Sequence, residues 1–384
     1  MDSETFALLR DAVRRFVDEQ LIPNEDRVEN EEAVPAEIIH EMRELGLFGL
    51  SIPDQYGGLG LTMAEEAAVV FELGHTSFAY RSVIGTTVGI GSQSIVIDGT
   101  EAQKQEWLPK LASGEIISSF ALTEPGAGSD AASLKTTAIR EGDSYRLNGT
   151  KRYVTNALRA GLFTVMARSE SGVSGAAGIS AFIVAAGSRG LTLGKSDKKM
   201  GQKGTVTCDV MFDDCIVPAT NVIGGVAGRG FKTAMKVLDR GRIHISALAA
   251  GMAERLVNES VGYAADREQF GQAIGKFQLV QGMIADSRVD AYASKVMVDD
   301  VARRYDAGEK VSADVACTKY FTTEAVGRVA DRAVQIHGGA GYMAEYKVER
   351  FYRDVRLLRI YEGTSQIQQT IIAKALLRDA GLAV

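Results

Sequence analysis

The chain has 384 residues, 46% of them hydrophobic, and a formal net charge of -6. That length allows two or three domains, and an acidic balance without a basic stripe excludes neutralisation of a nucleic-acid backbone. No apolar run approaches a membrane span. Cys208, Cys215 and Cys317 are odd in number and far apart, so no disulfide framework is implied and a reducing compartment fits.

Asp2, Glu4 and Asp11 stand among helix-spaced apolar residues at the N-terminus, unlike a targeting peptide, so a soluble intracellular protein is expected. Residues 1–118 read as a helical domain. Phe6, Leu9, Val13, Phe16 and Val17 form one stripe, and Ile38, Ile39, Met42 and Leu45 form another. Breaks fall at Ile22-Pro23 and at Pro53 to Gly58, and helical patterns then resume through Leu111. Residues 119–225 read as a β domain, with orthogonal sheets or a barrel-like closure. Asn148-Gly149 signals a hairpin turn; Phe163 to Ala167 and Ile179 to Val184 are strand-like; Val206, Cys208, Val210 and Phe212 alternate up to Pro218. Residues 226–384 read as a four-helix bundle built from Phe231–Ala265, Phe277–Ala307, Ser312–Ile336 and Ser365–Arg378. Segregated helices and strands make the whole an α+β architecture.

Two segments could carry chemistry. Tyr361 to Gln368 places Glu362 on a glycine-flexed turn just before a helix. Ser365 and Gln368 have capping-box spacing, and Ile367, Ile371, Ile372, Ala375 and Leu376 form an apolar stripe that should pack. A carboxylate held there is either a base reaching into a cleft or a solvated acid at a helix N-terminus. Phe120 to Asp130 combines Gly126 and Gly128 with Thr123 and Ser129. It is either a cradle for a polar ligand or an ordinary loop after a strand. Gly89-Ile90-Gly91 lies in a helical stretch with no strand before it, which excludes a dinucleotide fingerprint. His40, His75, His244 and His337 lack metal-ligand spacing, so no metal site is expected.

Four motifs, in order, resemble those of the acyl-CoA dehydrogenases: Leu122 to Asp130; Arg267-Glu268-Gln269-Phe270-Gly271 with Phe277-Gln278; Gln335 to Tyr342; and Tyr361 to Gln368. The resemblance spans the whole length and implies FAD-dependent α,β-dehydrogenation of an acyl-CoA, with Glu362 as catalytic base. It implies that Phe120, Leu122, Thr123, Gly128, Ser129, Tyr153 and Thr155 line the flavin, and that Thr364 and Gln366 complete its contacts. It gives Arg267 the pyrophosphate and Phe270 and Gln278 the adenosine end, with Gln335, Gly338 and Gly339 closing that site. Several of these would come from a neighbouring subunit, implying a homotetramer built as a dimer of dimers. Ser129, Asp239, Arg242 and Gly363 map to the acyl-CoA, and an electron-transferring flavoprotein is the expected electron acceptor. Cytoplasm is the expected location, or the mitochondrial matrix for a mature eukaryotic chain.

Some family branches carry the base at the position of Gly241, where glycine cannot serve; Glu362 occupies the commoner position. The family usually has tryptophan where this chain has Tyr153, and its one tryptophan is Trp107. Tyr80-Arg81-Ser82 resembles a segment of the glutaryl-CoA branch, where an arginine meets a distal carboxylate. A structural or surface arginine is the favoured reading. Non-oxidative and oxygen-using flavoproteins of the same fold, and a non-catalytic scaffold, are the alternatives.

Overall fold

The computed structural model describes residues 1–170 and 172–383. Seven helices open the chain: α1 (Ser3–Phe16), α2 (Glu25–Glu31), α3 (Ala36–Glu44), α4 (Met63–Leu73), α5 (Phe78–Gly85), α6 (Gln93–Asp98) and α7 (Glu101–Ala112). Both predicted stripes turn inward, with Val13, Phe16 and Val17 meeting Ile38 and Met42 in one core. Gly89-Ile90-Gly91 falls in a π turn, Thr86–Gly91, between α5 and α6.

Among the described residues seven strands follow: β1 (Ile117–Ala121), β2 (Thr137–Glu141), β3 (Ser144–Thr155), β4 (Ala160–Arg168), β5 (Ile179–Ala185), β6 (Leu191–Leu193) and β7 (Thr207–Pro218). They form one curled sheet in the order β1-β4-β2-β3-β7-β6, with β5 also paired to β4. Strand β4 is buried along most of its length because both of its faces are covered. Phe163, Val165 and Ala167 enter the core enclosed by the sheet, while Leu162 and Met166 meet Leu108, Leu111 and Ala234 from the helices outside.

The expected turn at Asn148-Gly149 is not one. The reversal is made by Gly142-Asp143, between Glu141 and its partner Ser144, and Asn148-Gly149 is a bulge inside the long strand β3. Gly149 holds φ +146°, and a Cβ there would meet the Thr136 backbone at 2.8 Å. Asn148 instead accepts from the Asp214 N–H at 2.9 Å and donates to its carboxylate at 3.0 Å. The bulge thereby locks onto β7.

The C-terminal part contains α8 (Gly230–Asp266), a small hairpin β8 (Glu268–Gln269) and β9 (Gln272–Ala273), α9 (Gln278–Asp306), α10 (Ser312–His337), α11 (Lys347–Val355) and α12 (Ser365–Asp379). The four expected long helices lie within two residues of their predicted ends, whereas α11 was not foreseen. Ile243, Leu248, Val298, Val326 and Phe351 build a core that α4 joins through Met63 and Val70.

Two expectations for the last helix are corrected. Its cap is Thr364, whose hydroxyl accepts from the Ile367 N–H at 3.3 Å, not Ser365, whose hydroxyl donates to Glu324 at 2.7 Å. Its apolar stripe is also not wholly packed, since Leu376 is 66% exposed. Among the described residues no helix is long and apolar enough to cross a membrane.

Candidate active site

A cavity of about 510 Å³ opens where the three parts meet. Its lining includes Arg81 and Ile90 from the first part; Phe120, Leu122, Thr123, Gly128, Ser129, Tyr153 and Thr155 from the sheet and its loops; and Arg242, Glu362, Gly363 and Ile367 from the last. Eleven residues singled out from sequence thus converge on one space. Asp239 stays outside the lining, accepting from Arg242 Nη1 at 2.7 Å and from the Ser312 hydroxyl at 2.8 Å.

Glu362 sits in a turn that its neighbours hold in an uncommon conformation. Its φ is +53° and that of Gly363 is +91°, so two successive residues are left-handed, costly for a non-glycine and typical of functional positions. Side chains clamp the carbonyls of this turn. Lys319 Nζ donates to Gly363 O at 2.8 Å. Gln368 Nε2 reaches Gly363 O at 3.0 Å and Glu362 O at 3.3 Å, and Arg242 Nε also reaches Glu362 O at 3.3 Å. Gln368 therefore braces the turn instead of closing a capping box.

The Glu362 carboxylate projects against the α8 backbone at Gly241. A Cβ on Gly241 would overlap Oε2 and lie 3.1 Å from Cδ. The two positions that carry the base in different branches of the resembling family thus face the same space. Oε2 is buried without a hydrogen-bond partner among the described residues. Burial pushes the Glu362 carboxyl above the usual carboxylate range, and Arg81, Lys319 and Arg242, in that order, pull it back. Burial likewise lowers Lys319 to about 8, opposed chiefly by the negative charge of Glu362.

Arg81 is not a surface residue. It is 6% exposed, and its Nε donates to His244 Nδ1 at 3.0 Å. Sequence reasoning passed over Lys319, Gln368 and His244 as site residues. Lys319 carries a signal in hindsight: it is a lone cation on a helical face otherwise bound for the core.

The group expected to line the flavin fits a planar aromatic cofactor. Gly126 and Gly128 have nothing within 4 Å of a built Cβ, leaving open space over their backbone. Tyr153 is 60% exposed at φ +57°, with the Arg152 guanidinium 5.1 Å from its ring centroid. A held, uncovered ring beside exposed backbone suits a heteroaromatic face. The loop is supported from below by Lys151, wholly buried, which donates to Leu122 O at 3.1 Å and Glu124 Oε1 at 2.8 Å.

The remaining predicted residues gather elsewhere. Arg267, Phe270 and Gln278 lie at the end of α8 and start of α9, and Gln335, Gly338 and Gly339 at the end of α10; all six are exposed. His337 stacks on Tyr263 at 4.1 Å and joins the two ends. Arg267 is 25 residues along α8 from Arg242, roughly 37 Å by helix rise. Thr364 and Gln366 are outside the cavity lining, and Gln366 is exposed.

The sequence matches the acyl-CoA dehydrogenase N-terminal domain over residues 3–115, the middle domain over 119–215 and the C-terminal domain over 228–377. It is 40% identical to an acryloyl-CoA reductase (NADH) of Anaerotignum propionicum, over 97% of this chain and 94% of that one. It is 37% identical to the caffeyl-CoA reductase-Etf complex subunit CarC of Acetobacterium woodii, over 98% and 99%. Butyryl-CoA dehydrogenase of Megasphaera elsdenii superposes with a TM-score of 0.94 at 35% identity, over 98% of this chain and all of that one. An acyl-CoA dehydrogenase from Bacillus anthracis, solved in complex with FAD, superposes with a TM-score of 0.91 at 34% identity, over 99% and 68%.

Proposed function

The chain belongs to the acyl-CoA dehydrogenase family of FAD-dependent oxidoreductases, and from that premise we propose that it converts an acyl-CoA thioester to its trans-2-enoyl-CoA with Glu362 as base. The observation that carries the reading is the buried, unpartnered Glu362 Oε2 on a clamped turn in the wall of the shared cavity. FAD, when bound, supplies the acceptor for the β-hydrogen as hydride.

Glu362 takes the α-proton. Its raised pKa makes it a stronger base, and its lack of a protein partner leaves Oε2 free to receive the proton. The Glu362 N–H has no acceptor within reach among the described residues, so it is free to donate to the thioester oxygen as negative charge develops there. Phe120, Leu122, Thr123, Gly128, Ser129, Tyr153 and Thr155 would hold the flavin end of FAD, with Thr364 and Gln366 alongside. Ser129, Arg242 and Gly363 would border the acyl-CoA, with Asp239 acting through Arg242.

We assign the exposed Arg267, Phe270, Gln278, Gln335, Gly338 and Gly339 to the cofactor of a neighbouring copy, in a dimer of dimers. An electron-transferring flavoprotein is the proposed acceptor, consistent with a relative named as part of an Etf complex. Relatives named as reductases favour a second reading, in which the same residues run the reaction toward the saturated thioester, Glu362 returning its proton to the α-carbon.

The test is anaerobic flavin absorbance during titration with saturated acyl-CoAs of varied length, branching and terminal charge. The best thioester should bleach the wild type, whereas Glu362→Gln should stay yellow and react about a hundredfold to ten-thousandfold more slowly. Full bleaching of that variant at the wild-type rate would overturn the assignment. Oxidation of photoreduced protein by an enoyl-CoA, without bleaching by any saturated partner, would select the second reading. Arg81 lines the acyl cavity, so the panel pairs dicarboxylic with monocarboxylic thioesters. Equal turnover of the pair removes a substrate-carboxylate role for Arg81.

A further inference from the structure

Behind the cavity wall runs a chain of buried polar groups that proton abstraction does not itself require. Arg81 on α5 directs both Nε and Nη2 at Nδ1 of His244 on α8. A ring nitrogen that accepts two donors carries no proton, so the His244 proton is on Nε2. That Nε2 lies 3.3 Å from Glu66 Oε1 on α4, within ion-pair distance, and makes no hydrogen bond among the described residues. Glu66 is also paired with Arg240, one turn before His244 on α8. Neither His244 nor Glu66 is more than 1% exposed. His244 and Glu66 are therefore shut off from solvent, and their arrangement is fixed by its own geometry.

Cations face Glu362 from three elements: Arg81 from α5, Lys319 from α10 and Arg242 from α8, with the Tyr361 phenol adjoining on its own segment. Arg242 is answered by Asp239, and Lys319 is tied to the Gly363 carbonyl. Among the described residues, Arg81 is hydrogen-bonded only to an imidazole. Burial and the flanking Arg81 and Arg240 disfavour protonation of that imidazole and push it well below its ordinary range. Glu66, which faces Arg81, Arg240 and Asp306, stands on the far side of the ring. The positive charge of Arg81 is thus directed at the cavity and is not cancelled at its own contact.

We propose that His244, oriented by Glu66, is a positioning residue that pins the Arg81 guanidinium in the cavity wall and thereby sets how readily Glu362 ionises. The proposal rests on Glu362 being the base. Released from His244, Arg81 loses its fixed place, the positive field at Glu362 weakens and the carboxylate becomes harder to ionise. The acid limb of the rate then moves to higher pH.

The experiment is the pH dependence of single-turnover flavin bleaching by the best acyl-CoA, measured on FAD-loaded enzyme. His244→Ala is expected to shift the acid limb upward by about one pH unit, the size of effect one displaced opposite charge produces. Arg81→Gln should shift it at least as far, and the double variant no further, because both changes act through one group. His244→Asn keeps an acceptor at the Nδ1 position and should retain the wild-type limb even if His244→Ala fails to fold. A limb that stays in place in His244→Ala while the rate falls equally at every pH would overturn the positioning role. A limb that persists in Glu362→Gln would instead overturn the base assignment and the proposal with it.

Discussion

A methyl group at position 241 should be enough to displace the proposed base. Gly241 lies inside the long helix α8, where glycine costs about 1 kcal/mol relative to alanine. The cost has a reason: a Cβ there would overlap Glu362 Oε2. The overlapped atom is the far end of a flexible side chain, so Gly241→Ala should fold and melt at or above the wild-type temperature. Its Glu362, however, must leave its position, and a misplacement of about 1 Å at a reacting group costs on the order of a hundredfold. The expected variant is equally or more stable, FAD-replete and at least tenfold slower in substrate bleaching. Bleaching at the wild-type rate, with melting unchanged, would show that Oε2 reaches substrate from elsewhere.

The element most resistant to sequence reading, α11, also joins the sheet to the bundle. Asp354 on α11 accepts from the Gln202 N–H, and Gln202 Nε2 returns a bond to Asp354 O at 3.2 Å. Gln202 lines the cavity, so this contact closes the coil before β7 over the site. Burial raises the Asp354 carboxyl from 3.8 to about 7. A carboxyl bound more tightly to its proton in the folded state contributes stability that is complete below pH 3.8 and lost as pH rises through about 7. Asp354→Asn keeps an acceptor for the Gln202 N–H and cannot ionise. Thermal melts at pH 5 and pH 8 should show the wild type losing ground to the variant at the higher pH; a constant gap would mean that Asp354 titrates alike in both states. The helix escaped the pattern because its inward face carries Arg350 and Asp354 among Val348, Phe351 and Val355. Arg350 pairs with Asp26 and Glu25, 324 and 325 residues away. The same limit hid Arg81, whose partner His244 is 163 residues off. Apolar periodicity found α8, α9 and α10 because their inward faces obey it. The Asn148-Gly149 signal failed because a two-residue turn and a strand bulge ask for the same glycine, and only strand pairing decides between them.

On the scale of the whole molecule, the candidate site was legible as a set of residues but divides into two places. The cavity group comes together within one chain, at the junction of the helical, sheet and bundle cores. The second group sits at the opposite end of α8, where Phe270 is 93%, Leu279 86% and Tyr342 82% exposed. Large apolar side chains left this bare, beside an arginine and glycine-rich backbone, are costly for an isolated chain and suit a face that meets another copy. On the proposed assembly, Arg267, roughly 37 Å along α8 from Arg242, and its exposed neighbours would belong to the same set. Each would complete a neighbour's cofactor site, not its own. Phe270→Ser combined with Leu279→Ser touches neither the cavity nor any buried core. It should therefore leave the helical content unchanged while reducing the mass measured by light scattering and loosening FAD during gel filtration. A full-sized assembly with one flavin per chain would show that this face is not where copies meet.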